Sequence, residues 1–93
     1  MNEDMEFWKP EEGESIKGVL IDKICDVGEY NSNLYKIQVD DKVYGIWGKV
    51  QLDSLMELTH IGDLLLLRYV GLRKTKHFKM NVYELEILND ELE

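Results

Sequence analysis

Two short segments, 34–39 (LYKIQV) and 42–47 (KVYGIW), are separated only by Asp40 and Asp41, and no other stretch limits the architecture so tightly. β-branched and aromatic residues on both sides of two turn-forming acids read as a hairpin closed by a two-residue turn. Such a turn fixes the register: Val39 lies opposite Lys42, Ile37 opposite Tyr44, Lys36 opposite Gly45, Tyr35 opposite Ile46 and Leu34 opposite Trp47. Cross-strand neighbours share a face. Tyr35, Ile37, Val39, Tyr44 and Ile46 therefore collect on the face expected to form the core. Leu34, Lys36, Gln38, Val43, Gly45 and Trp47 collect on the other. A slip of one residue would exchange the two faces and bury Trp47.

The rest of the chain follows the same pattern of short strands and turn signals. Segment 15–24 (SIKGVLIDKI) is rich in Ile and Val, and Gly18 within it marks a bulge or bend. Segment 26–33 (DVGEYNSN) is a loop by its Asp, Gly, Asn and Ser content. After Gly48 and Lys49, the spacing of Leu52, Leu55 and Met56 predicts a short helix that ends near 59–62. Segment 63–70 is a nearly continuous apolar strand, 71–78 a basic loop, and 79–88 a last strand alternating through Tyr83, Leu85 and Ile87. The acidic stretch 1–14 reads as a mobile lead-in whose Phe7 and Trp8 pack on the domain edge.

At 93 residues the chain holds one domain. Residues 15–88 form it, between the lead-in 1–14 and a short acidic tail, 89–93. Three strands, a helix, then two strands is the order of an all-β, five-stranded oligonucleotide/oligosaccharide-binding (OB) barrel, a Greek key with one short helix between strands 3 and 4.

The net charge of −8 opposes an anionic partner, but its distribution does not. Residues 1–14 carry six acids and one base, and residues 84–93 carry five acids and no base. Stretch 64–83 has Arg68, Arg73, Lys74, Lys76 and Lys79 with no acid, and over a Debye length of about 8 Å that local charge is what a phosphate meets.

Other function classes find little in the sequence. The longest purely apolar run, 64–67, is far short of the roughly 20 residues that cross a bilayer, and the acidic start is unlike a signal peptide. A soluble, cytoplasmic protein without membrane contact is expected. The single cysteine, Cys25, fits a reducing compartment and reads as a small core residue. His60 and His77 lack a second ligand at metal spacing, Asp40 and Asp41 are explained by the turn, and no nucleophile elbow or phosphate loop is present. The expectation is a binding protein with no cofactor and no metal, not an enzyme.

The opening WKPEEGESIKGVLIDK, the loop and strand DVGEYNSNLYKIQ, the strand into helix YGIWGKVQLDSLM, the strand GDLLLLRYVG and the loop RKTKHFK together resemble small single-stranded-DNA-binding-type barrel proteins of phages and prokaryotes. The likeness runs from Trp8 to Ile87. It departs at His77, where a glycine would be expected after Lys-Thr-Lys. The resemblance implies a role in DNA replication, recombination or repair.

The candidate site follows from the faces and the loops. Trp47 offers a π-face for a base, Lys36 reaches the adjoining phosphate, and Gly45 leaves room between them. Tyr30 is a second platform or a lid over the barrel end. Arg73, Lys74, Lys76 and Lys79, interleaved with Thr75, His77 and Phe78, hold phosphates in the loop between the last two strands. Arg68 divides between a barrel-end ion pair and the ligand surface, and Trp8 reads as an edge plug. The expected partner is single-stranded DNA or RNA. The rival is an acidic interaction module, or DNA mimic, that meets a protein through its acidic termini. A contact between copies through Leu34 and Val43 is a third reading. The tail LNDELE docks a partner or folds over the basic loop as a competitor.

Overall fold

The computed structural model describes residues 5–92. Its elements are β1 (Met5–Phe7), β2 (Ser15–Val27), β3 (Ser32–Val39), β4 (Lys42–Trp47), helix α1 (Val50–Met56), β5 (Leu64–Lys74), β6 (Lys79–Ile87) and a 3-10 turn, Asn89–Leu92. All six strands lie in one sheet of order β1-β4-β3-β2-β5-β6. The fold is all-β with one short helix, as expected; the sheet has six strands, where five were expected, and its ladder is not closed. The added strand is β1, which pairs in parallel with β4 from Met5↔Val43 to Phe7↔Gly45. Only three residues long, it has no β pattern of its own to announce it.

The long second strand makes the sheet curve. Residues 15–19 pair with β5 and residues 19–27 with β3, so Val19 is shared by both neighbours. Gly18 answers to close approach, not to a bulge: a Cβ there would collide with the Gln38 carbonyl oxygen and with Ile37 Cγ2 at 2.7 Å. The bulges themselves lie further on, between Leu20 and Asp22 and between Ile24 and Val27. The second of these carries Cys25 outward, next to Asp26 at φ 60°. The thiol is exposed and so is not the core residue expected. The bulges beyond Leu20 decide the parity of β2 there.

Inside the curve lie Leu20, Ile37, Leu52, Met56, Leu65 and Leu67, each at most 1% exposed. Trp8 packs against this core, with its ring 6.5 Å from that of Tyr83. Helix α1 closes one end. Lys23 Nζ donates to the carbonyls of Met56, at 2.9 Å, and Thr59, at 2.6 Å, placing a cation at the helix C-terminus. Tyr35 Oη donates to Asp53 Oδ1 at 2.5 Å. Burial, then this carboxylate, holds the phenol well above its ordinary range.

Where β6 would need another strand, a side chain takes its place. Gln51 of α1 accepts from the Tyr83 N–H at 2.9 Å and donates to the Tyr83 carbonyl at 3.2 Å. Tyr83 is 8% exposed, so water cannot readily replace these bonds. Gln51→Ala orphans a donor and an acceptor and is expected to destabilise the domain by about 2 kcal/mol, read as a lowered urea midpoint.

The C-terminal turn is held at the opposite end of β5 from the basic stretch. Asn89 Nδ2 donates to Asp63 Oδ1 and Asn89 Oδ1 accepts from the Leu64 N–H, both at 2.9 Å. Since β5 has eleven residues, about 30 Å separates its ends, so the Asn89–Leu92 turn lies away from the basic residues; Glu93, the end of the tail, lies outside the described residues. Hydrogen bonds from Asn89, then from the His60 N–H, hold the Asp63 carboxyl below its usual range. A carboxyl depressed in the folded state stabilises above its unfolded pKa, and that contribution is lost as pH falls through the folded one. Acid titration should therefore release the Asn89 clasp, seen as a lower protection factor of the Leu64 amide relative to its intrinsic exchange rate at each pH. Asn89→Ala should move the Asp63 titration up, as NMR would show.

Among the described residues no helix is long and apolar enough to cross a membrane.

Candidate nucleic-acid interface

The β3–β4 register is the one a two-residue turn dictates, from Leu34↔Trp47 to Val39↔Lys42, with Asp40 in the left-handed region at φ 56°. Tyr35, Ile37 and Ile46 are buried, and Trp47 on the other face is 38% exposed. That face is not open, however. Phe7 stacks on the Trp47 indole with ring centroids 5.5 Å apart and planes 6° from parallel. The space above Gly45 is filled by Met5 and Phe7, whose atoms would lie 3.1–3.2 Å from a Cβ there. Gly45 thus accommodates β1, where room for a base was expected. Leu34 is buried on this outer face between its register partners Ile24 and Trp47, so it offers no contact to a second copy. Lys36, half-buried, stands between Asp22 and Gly45.

The basic stretch is mostly strand where a loop was expected. The β5–β6 ladder runs out to Leu72↔Asn81, Arg73↔Met80 and Lys74↔Lys79, and only 75–78 turns. Everything from Leu72 to Lys79 is exposed. Two lysines directly opposite each other at the end of an exposed ribbon repel, and an anion between them relieves that repulsion. The turn closes without glycine: the Thr75 N–H donates to the Phe78 carbonyl at 2.7 Å, and Thr75 Oγ1 accepts from the Phe78 N–H at 3.0 Å. The threonine hydroxyl organises the tip, so His77 is accommodated. Arg68 pairs across strands with Glu84 at 3.1 Å, which settles it as an ion pair.

Between the 28–31 turn, the start of α1 and residues 78–81 on the β6 side of this ribbon lies a cleft of about 620 Å³, within the range of ligand pockets. Tyr30, Lys49, Phe78 and Lys79 line it. Two smaller clefts adjoin it. One, of about 360 Å³, runs between Val27, Tyr30, Trp47 and Lys49. The other, of about 280 Å³, lies between Phe7, Trp8, Trp47, Lys49 and Tyr83. Lys49 lines all three. Tyr30 is 85% exposed and Phe78 59%, so Tyr30 is not a lid folded onto the barrel end.

The structure thus gathers Tyr30, Phe78 and Lys79 in one cleft and puts Trp47 in the next. Arg73, Lys74 and Lys76 stay outside the linings, on the projecting ribbon. Lys36 lies on the sheet face and lines none of the three. Sequence reasoning passed over Lys49, taking it only as the opening of the helix; its position directly after Trp47-Gly48 was the available signal. His60 lies against Asp63, with Nδ1 and Oδ2 3.9 Å apart, and His77 sits at the ribbon tip. Among the described residues no three His, Cys, Asp or Glu side chains converge on a cation position. No family model, curated protein sequence or solved structure matches the chain.

Proposed function

We propose that this chain is an OB-type module that binds single-stranded nucleic acid, DNA foremost, without sequence preference, in replication, recombination or repair. Its support is the convergence on Lys49: one ammonium at the junction of three clefts whose walls carry exposed rings. Bases stack on Tyr30, Phe78 and the open part of Trp47, because a π-face accepts any base. Lys49 and Lys79 take phosphates in the cleft, and Arg73, Lys74 and Lys76 take those passing the ribbon. The strand order from β2 to β6, with α1 after β4, supports the OB assignment. The C-terminal turn lies at the far end of β5 from the ribbon, while the Glu12 carboxylate lies against Gly71 where the ribbon starts.

The test is a titration with poly-dT at low salt, followed by tryptophan emission. Trp47 is half-exposed while Trp8 packs on the core, so a response reports the proposed surface. Binding should quench emission and weaken with salt, with a log–log slope of about −3.5 if these five cations contact phosphate. No response at tens of micromolar strand overturns the proposal in favour of a protein partner for the acidic termini.

A further inference from the structure

We propose that β1 is a displaceable strap, an internal competitor that occupies the Trp47 surface until a nucleic-acid strand takes its place. This concerns regulation of the site just described and rests on that reading.

The stack of Phe7 on Trp47 is nearly parallel, at 6°, which is the arrangement a base adopts on an aromatic side chain. Glu6, whose side chain alternates to the other face of β1 beside its partner Tyr44, adds only a carboxylate 4.0 Å from Lys42 Nζ at the sheet edge. The sequence before Trp8 carries Glu3, Asp4 and Glu6 and no base, so the segment shares the ligand's charge.

The strap is also cheap to release. Its ladder with β4 is parallel and three residues long, and the Glu6–Lys42 pair is solvent-exposed, which makes it worth little. The anchor lies behind it. The Trp8 N–H donates to the Gly45 carbonyl at 2.9 Å, the Trp8 ring packs on the core, and Gly13 and Glu14 bond Tyr69 at 2.8 Å. Detaching residues 5–7 leaves those contacts in place, so the core is not opened. It uncovers the second indole face together with the bare backbone of Gly45, a space shaped for a flat ring. Gly45 therefore serves β1 in the free protein and the ligand in the bound one.

The experiment measures poly-dT affinity of the full chain and of Phe7→Ala at the same salt, with amide exchange of the unaltered chain followed with and without poly-dT. The expected result is binding by both, about threefold to tenfold tighter for Phe7→Ala. Protection of the Glu6 amide, the one of residues 5–7 that the parallel ladder turns toward β4, should fall when strand is added, while the Trp8 amide keeps its protection. Equal or weaker binding by Phe7→Ala, or a Glu6 amide that holds or gains protection, overturns the strap and leaves the binding function standing. Failure of both chains to bind overturns the function and the strap with it. The exchange arm needs no substitution, so a folding defect in Phe7→Ala does not shield the proposal.

Discussion

Gly18→Val should lower the melting temperature of the domain by more than about 10 °C. A Cβ at position 18 would penetrate the contact distance of the Gln38 carbonyl oxygen and crowd Ile37 Cγ2 at 2.7 Å and Val39 Cγ2 at 2.9 Å. Ile37 is wholly buried, so it has nowhere to withdraw, and the carbonyl belongs to the β2–β3 ladder at Val19↔Gln38. The strand that links both halves of the sheet must then move away from one of them. Overpacking alone destabilises by about 1–3 kcal/mol; with backbone displacement a loss of at least about 3 kcal/mol is expected, against a total of about 5–10 kcal/mol for a domain of this size. The melting temperature of Gly18→Val, set beside that of Ser15→Ala at an exposed position of the same strand, is the measurement. A shift as small as that of Ser15→Ala would show that the sheet relaxes around the added atoms.

What the sequence reveals divides by range. The β3–β4 hairpin is legible because a two-residue turn fixes the register from within fourteen consecutive residues, and the faces of Tyr35, Ile37, Ile46 and Trp47 follow from it. Helix α1 is legible by the spacing of Leu52 and Met56. β1 is not: its three residues become a strand only because Gly45, far along the chain, leaves a place for Met5 and Phe7. Its strand character is a property of the surface it covers. Cys25 shows a different limit: a lone small apolar residue reads as core, but the bulges beyond Leu20 decide the parity of β2 there, and the thiol ends exposed. At the ribbon, composition identified Arg73, Lys74 and Lys79 but could not tell loop from strand. That distinction depends on cross-strand partners such as Arg73↔Met80, which basic residues do not advertise. Lys49 acquires its position from three separate segments meeting in space, and no local pattern encodes that meeting.

Charge reversal at that junction should produce the largest single loss of strand affinity. Lys49→Glu removes one ammonium from the walls of three clefts and puts a carboxylate among Tyr30, Trp47 and Phe78, where a bound strand brings its phosphates. At about 0.1 M salt the affinity for poly-dT should fall at least about tenfold, and the magnitude of the log–log salt slope should drop by about 0.7, the amount one lost phosphate contact carries. The fold should be untouched. Lys49 sits at the N-terminal cap of α1 with extended backbone, φ −129°, and makes no side-chain capping bond; an acid beside the first turn is, if anything, favoured by the helix dipole. Unchanged thermal stability with weakened binding thus locates the effect at the interface. Lys76→Glu, at the ribbon tip outside the three clefts, should weaken binding less, and Lys17→Glu, which also lines none of them, less still. Equal losses for all three substitutions would mean that poly-dT responds only to net charge, and the convergence on Lys49 would then have no part in recognition.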